Sequence, residues 1–460
     1  MNLTIRTVVL CALPLCGCSL LIDDIGFAST DEDAGSGADA GQFDAGPDGA
    51  VMDPDGGNDA GSDSGVECSP RAEACDGVDN DCDGAIDEGL MGLLGSPIMI
   101  DGDDLGLGSS AFVDVAALDD GFVVAWHIAN EDVIRIAVFD GAGSLANEDS
   151  ITSTTGETLR EGRVTVLRTG AIEQIAIAYV QGEQVWVRRY SSAGTRLGPP
   201  IELAAFTDYG LGPDNLELTA VDDSTILGVT GDQSSGDLPM TLVRFTPSSG
   251  DTQSIQVYPD HIGQLAANAG TLLAATDPQT RGAPVIRRHD PITLELLGVD
   301  VWDYSDRCDA AGSTCEAQVT VHAASEATPT RMVIEETVSQ VIGGESSSTY
   351  CLFVGEIENG LTPLTIIGDC VSRPSAPIGV ATRTGVAGVI VGLGTLGTAP
   401  YAYLEISTID SDGAGPVELS DFDPLATPRG HIVAARGTRA YIVGRLAGGG
   451  ALHAWRLGCE

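Results

Sequence analysis

Lysine is missing: the 460-residue chain carries 22 basic residues, and every one is arginine. Without that amine there is no P-loop lysine, no Schiff-base nucleophile and no kinase-type phosphate anchor. Aromatic residues are scarce at 5%, and Trp126, Trp186, Trp302 and Trp455 stand far apart. Sugar cleavage needs convergent carboxylates and a shaped platform, and the second of these is thinly supplied. Positive charge of any kind is short, with 67 acids giving a formal net charge of -45. That balance works against nucleic acid or an anionic bilayer as an electrostatic partner and favours cations.

Other absences narrow the chemistry further. The six histidines, His127, His261, His289, His322, His431 and His453, form no His-x-x-x-His or His-Glu pair, so no catalytic zinc cluster is legible. No Gly-x-Ser-x-Gly elbow occurs. Gly392-Leu393-Gly394-Thr395-Leu396-Gly397 has the spacing of a dinucleotide fingerprint, but Tyr401 to Ile406 alternates as a strand. A strand cannot present a helix N-terminus to a pyrophosphate, so the glycines read as a turn. No catalytic residue is expected; the scattered acids leave a surface hydrolase of glycans or phosphodiesters as the alternative.

The N-terminus has a clear layout. Arg6 precedes the apolar run Val8 to Leu15, which is too short to span a bilayer and reads as a signal peptide, residues 1–17. Leu15-Cys16-Gly17-Cys18 resembles a lipobox, which implies cleavage before Cys18 and lipidation of that thiol. Ser19 behind it suggests an outer-membrane address, facing either the cell surface or the periplasm. From Asp31 to Glu67 the chain is mostly Asp, Ala, Gly, Ser and Pro, with no basic residue. Such a tract buries nothing and repels itself, so residues 18–67 are expected to be a lipidated, disordered acidic linker.

Residues 68–90 concentrate ligand chemistry. Asp79, Asp81 and Asp83 alternate, Gly84 follows, and Asp87 and Glu88 close the run, which is the spacing by which oxygen donors converge on calcium. Asp79, Asp81, Asp83 and Asp87 are the expected ligands, with the Ala85 carbonyl and Asp76 or Glu88 as further donors. A full EF-hand is excluded, because the twelfth position from Asp79 is Leu90 and no amphipathic helix flanks the loop. With Cys68, Cys75 and Cys82 included, the stretch resembles the MopE-type metal-binding motif of secreted and surface proteins of Gram-negative bacteria, over about 22 residues. The resemblance implies a metal site, and its usual association is with copper. The stretch has no His or Met, so its hard carboxylates favour calcium.

Beyond Gly89 the pattern changes. Short β-branched runs recur, among them Phe122 to Trp126, Ile175 to Tyr179, Thr225 to Val229, Leu272 to Ala275, Met332 to Ile334, Gly388 to Val391 and Ala440 to Val443. Each is followed by a partner: Val133 to Phe139, Gln184 to Tyr190, Thr241 to Phe245, Pro284 to Arg288, Thr349 to Glu356, Tyr401 to Ser407 and Ala451 to Leu457. Turn sequences such as Asp140-Gly141-Ala142-Gly143 follow most partners. A period of about 50 residues, repeated seven times, predicts an all-β, seven-bladed β-propeller over residues 91–460. The final unit lacks a fourth strand, and Pro97 to Asp101 is expected to supply it, interlocking the two ends.

Eight cysteines remain after Cys11, Cys16 and Cys18, an even number suited to an oxidising compartment. Cys308 with Cys315 and Cys351 with Cys370 are natural local pairs. Cys68, Cys75, Cys82 and Cys459 permit three pairings, and the expectation is one bridge inside the motif and one to Cys459. Together these features predict a lipoprotein anchored in the outer membrane, with calcium at its neck and a propeller that binds a protein or glycan partner.

Overall fold

The computed structural model describes residues 70–71, 91–102, 112–128, 132–153, 156–182, 184–205, 215–221, 224–230, 240–257, 261–267, 271–277, 285–301, 314–323, 330–342, 345–357, 361–371, 377–383, 386–395, 402–408, 422–423, 433–436, 439–446 and 450–459. The chain divides between Gly65 and Val66, and all described residues belong to the second unit. Among them there are strands and turns and no helix.

Two short strands come first, β1 (Met91–Leu93) and β2 (Ile98–Asp101). Antiparallel meanders follow in chain order. The first sheet holds β3 (Val113–Leu118), β4 (Gly121–Ile128), β5 (Val133–Phe139) and β6 (Leu145–Thr152). The second holds β7 (Leu159–Thr169), β8 (Ile172–Gln181), β9 (Gln184–Ser191) and β10 (Ile201–Ala205). The third holds β11 (Asn215–Val221), β12 (Ser224–Thr230), β13 (Met240–Thr246) and β14 (Asp251–Val257). In the fourth are β15 (His261–Ala267), β16 (Leu272–Asp277), β17 (Val285–His289) and β18 (Leu296–Val301). The fifth has β19 (Thr314–Ala323), β20 (Thr330–Ile342), β21 (Glu345–Ile357) and β22 (Leu361–Val371), and the sixth β23 (Pro377–Arg383), β24 (Val386–Thr395) and β25 (Ala402–Thr408).

The seventh sheet closes the molecule. Its inner positions are β26 (Phe422–Asp423) and β27 (Val433–Arg436), both paired to β28 (Arg439–Leu446), which pairs with β29 (Leu452–Cys459). On the far side of β29 lie β1 and β2, with Met91 opposite Cys459 and Ile98 opposite Ala454. The strand expected from Pro97 to Asp101 is therefore the outer strand of the last sheet. The first strands of successive sheets, β3, β7, β11, β15, β19, β23 and β27, are neighbours in that order, and β27 returns to β3. Seven sheets in a closed ring is a seven-bladed β-propeller.

The apolar runs follow from this geometry. A second strand lies mid-sheet between two other sheets, so both of its faces are buried and the period-two alternation is filled in. Along β4, Phe122, Val124 and Trp126 face the seventh sheet, packing with Tyr441, Val443, Trp455 and Leu457. Val123 and Ala125 face the second sheet, with Ile175, Ile177 and Tyr179. Ala176, Ala178 and Val180 of β8 then turn to the third sheet, against Leu216, Leu218 and Phe245. Each large aliphatic side chain buried this way contributes about 1.5–3 kcal/mol.

One sequence expectation needs correcting. Gly392, Leu393, Gly394 and Thr395 are not a turn; they are the last residues of β24, paired with Glu405, Leu404, Tyr403 and Ala402 of β25. A glycine-rich run can stay extended where a neighbouring strand supplies its hydrogen bonds, so glycine content alone misread it.

Candidate functional site

The first strand of each propeller blade has one edge without a partner strand in its own sheet, and its amide groups need acceptors. Carboxylates answer part of that need. Asp114 on β3 is fully buried, and its Oδ2 accepts from the Val164 amide of β7 at 2.5 Å. Glu161 on β7 repeats the arrangement one blade on, accepting from the Leu216 amide of β11 at 2.8 Å. Arg163, also on β7, donates to Glu217 on β11 at 3.1 Å and to the Gly162 carbonyl. All four of these ionisable side chains are buried.

Their charges are coupled. Burial opposes the Arg163 charge, but Glu217, Asp114 and Glu161 outweigh it and hold the guanidinium more firmly protonated than an exposed one. Three buried carboxylates thus act on one buried guanidinium. Asp114, Glu161 and Glu217 each hold a bond to the adjoining blade. The arrangement can fix the register of one blade against the next.

The second polar concentration lies at the seam between the seventh and first sheets. Asp101, the last residue of β2, is 7% exposed. Its Oδ2 accepts from Trp126 Nε1 at 3.0 Å and from Arg135 Nη1 at 3.1 Å, both in the first blade. On the β3–β4 turn, Asp119 pairs with Arg436 at 2.8 Å and Asp120 with Arg439 at 3.1 Å. The bond from Arg436 holds the Asp119 carboxyl below its ordinary pKa, with burial opposing. Glu173 of the second blade accepts from the Asp119 amide, so one turn is gripped from both sides. Arg456 on β29 completes the seam by donating to the carbonyls of Gly141 and Leu94.

Turns after the third strands stitch further blade pairs. Gly143 and Gly194 take φ of 84° and 81°, and a Cβ on either would strike the outer strand of the preceding blade, at Ile98 or Asn147. Asn147 Nδ2 donates to the Gly194 carbonyl at 2.6 Å, and Gln253 Nε2 donates to the Thr293 carbonyl at 2.7 Å. The same contact thus recurs between blades one and two and between blades three and four.

The residues predicted from the sequence fall as follows. Cys18, Cys68, Cys75, Cys82, Cys308 and the motif positions Asp76, Asp79, Asp81, Asp83, Ala85, Asp87 and Glu88 lie outside the described residues. Cys315 is on β19. Cys351 is on β21 and Cys370 on β22, where the register slips between Tyr350↔Val371 and Leu352↔Ile367. Cys459 lies opposite Met91, one residue beyond the predicted motif. His127, His289 and His453 are buried in three different blades, His261 and His322 are on β15 and β19, and His431 is outside the described residues. Trp126 is 1% exposed and packs in the seam, as its strand position implied. Among the described residues no group of three or more His, Cys, Asp or Glu side chains has metal-holding geometry.

Sequence reasoning missed Asp114, Glu161, Arg163, Glu217 and Asp101. Asp114 and Glu217 each interrupt an apolar first strand, which is a signal; among 67 acids it does not stand out.

No family model matches the chain, and no curated protein matches it at a significant level. Solved structures do align with it. The Dos1 propeller is 10% identical over 75% of this chain and 78% of that one, with a TM-score of 0.43. The polysaccharide lyase Uly1 is 8% identical over 75% and 89%, with a TM-score of 0.44. The β-propeller domain of the trilobed protease from Pyrococcus furiosus is 10% identical over 62% and 80%, with a TM-score of 0.38. Binding proteins and enzymes alike are built on propellers, and the ring described here rests on its own strand pairings.

Proposed function

We propose that the chain is an outer-membrane lipoprotein, held by a lipid on Cys18, that displays its propeller at the cell surface for binding or structural interaction rather than for catalysis. The single observation that carries the reading is the seam. The segment leading in from residues 68–90 becomes β1 and β2, the outer strand of the closing blade. A rigidified neck directly before Met91 would therefore brace the ring where it closes. Asp79, Asp81, Asp83 and Asp87, with Ala85 and Asp76 or Glu88, offer only hard oxygen donors, which suit calcium and not copper. The Met91↔Cys459 register supports a bridge from Cys459 to Cys68, Cys75 or Cys82 as the covalent half of the same brace.

A binding role is favoured because Asp114, Glu161 and Glu217 are engaged in interblade bonds. A general acid or base needs a carboxyl free to face substrate. The test is calorimetry on the full chain carrying Cys18→Ser. Calcium is expected to bind saturably and raise the melting temperature, and the triple change Asp79→Asn, Asp81→Asn, Asp83→Asn to abolish both. No heat with millimolar calcium, together with an unchanged melting temperature after chelation, would overturn the calcium neck.

A further inference from the structure

The outer strands of the ring meet solvent in different ways. An outer strand exposes a row of unpaired backbone groups, and charge on that strand is the usual guard against adventitious pairing. β6 exposes Glu148 and β14 exposes Asp251, Thr252, Gln253 and Ser254. β18 reads Leu296-Leu297-Gly298-Val299-Asp300-Val301. Five large apolar side chains, Ile292, Leu296, Leu297, Val299 and Val301, are exposed within this one short stretch. Leu297, Val299 and Val301 recur at alternate positions and are 57%, 49% and 56% exposed. The strand's one charge, Asp300, is taken by Arg288 at 2.9 Å. Nothing among the described residues pairs with its outer edge.

That combination is what strand addition requires: an open ladder for backbone bonds and an apolar stripe at period two for side-chain specificity. The stripe is aliphatic, so a sugar would find no ring to stack on, and a nucleic acid would meet an acidic body. A second copy would bring together two chains of net charge -45. Screening at physiological salt acts over about 8 Å, which weakens that repulsion without reversing its sign. Charge therefore favours an occupant of the opposite sign. Asp290 and Glu295, on the turn just before Leu296, mark the end where that charge would sit.

We propose that β18 is a docking edge for an extended polypeptide segment of a partner protein, one with aliphatic side chains at alternate positions and arginine or lysine at the end that meets Asp290 and Glu295. The segment adds a fifth strand to the fourth blade. This goes beyond the display reading and depends on neither lipid nor calcium, so failure of either leaves it standing.

The probe is a fluorescein-labelled peptide, Val-Thr-Val-Thr-Val followed or preceded by two arginines, titrated into the full chain carrying Cys18→Ser. One peptide is expected to bind per chain in one of the two orientations, with slowed amide exchange across Leu296–Val301. Val299→Lys, at an exposed site that folding tolerates, is expected to weaken binding at least tenfold, with circular dichroism unchanged. Ile172→Lys, on an exposed position of another blade, is expected to leave it intact. Replacing the arginines by glutamates is expected to weaken it. Absence of saturable binding, equal binding to the Val299→Lys variant, or exchange protection elsewhere on the ring would overturn the proposal. So would sedimentation showing that the wild type dimerises and Val299→Lys does not, which would give the edge to a second copy.

Discussion

At the scale of single residues, the last two positions of the third strands share one job. Phe139 and His289 end β5 and β17, Tyr190 and Phe245 stand next to last on β9 and β13, and all four are buried. A flat side chain there closes the blade just before the turn. His289 is the exception in chemistry. Its Nδ1 is 2.9 Å from the Leu294 carbonyl, so the neutral ring carries its proton on Nδ1 and donates across the turn. Its Nε2 is buried with no hydrogen-bond partner. Burial pushes its pKa down, the Leu294 bond opposes, and the Arg287 charge adds to the depression.

The sign of the effect on stability follows. Below the unfolded value of about 6.5 the unfolded chain binds a proton that native His289 resists, so stability falls as pH drops through that region. His289→Phe keeps the ring and removes the titration. Its melting temperature is expected to fall less than that of the wild type between neutral pH and about pH 5.5. The comparison is of slopes, because losing the bond to Leu294 itself costs about 1 kcal/mol. Parallel slopes would show that His289 is not charged on unfolding in this range.

At the scale of strands, much was legible. A mid-sheet strand buried on both faces must be continuously apolar, so Phe122 to Trp126 and Ile175 to Tyr179 announced β4 and β8 from composition. Pro97 to Asp101 announced β2 by being one strand too many at one end where one was wanting at the other. What could not be read was which carboxylates do structural work. Asp101 looks like any acid after a short apolar run, and only the fold brings it to Trp126, 25 positions on, and Arg135, 34 positions on. The candidate calcium ligands are the reverse case, since the expectation rests wholly on local spacing and those residues lie outside the described ones. Gly392 to Thr395 was misread because hydrogen-bonded neighbours, invisible in a local window, held glycines in a strand.

Asp101 makes β2 more than a covering strand, because one carboxylate ties the outer edge of the seventh blade to the interior of the first. Asp101→Ala leaves the buried Trp126 indole N–H and the half-buried Arg135 guanidinium short of an acceptor. Loss of a buried partner of this kind costs about 1–3 kcal/mol. The loss is expected to be local at first. Amide exchange should accelerate in Ile98–Asp101 and Leu452–Cys459 before it does so in β8 or β12. Uniform acceleration across all described blades would mean that the seam is no weaker than the rest of the ring.

At the scale of the whole molecule, charge and closure pull against one another. Seam ion pairs such as Asp120–Arg439 are exposed, and pairs of that kind contribute about 0–1 kcal/mol, less as salt rises. Self-repulsion acts the other way and is also screened by salt. The arithmetic of composition decides which dominates. With no lysine, 22 arginines face 67 acids, and from Met91 onward the acids still outnumber the arginines roughly two to one. Most carboxylates therefore have no cation to lose. Raising sodium chloride from about 20 mM to about 500 mM, across which the screening length shortens several-fold, is expected to raise the melting temperature of the calcium-free chain. A protein held together by its surface pairs would melt earlier under the same change. A fall in melting temperature would mean that the interblade arginines, few as they are, outweigh the repulsion, and that the ring is stapled electrostatically rather than by the apolar layers between its blades.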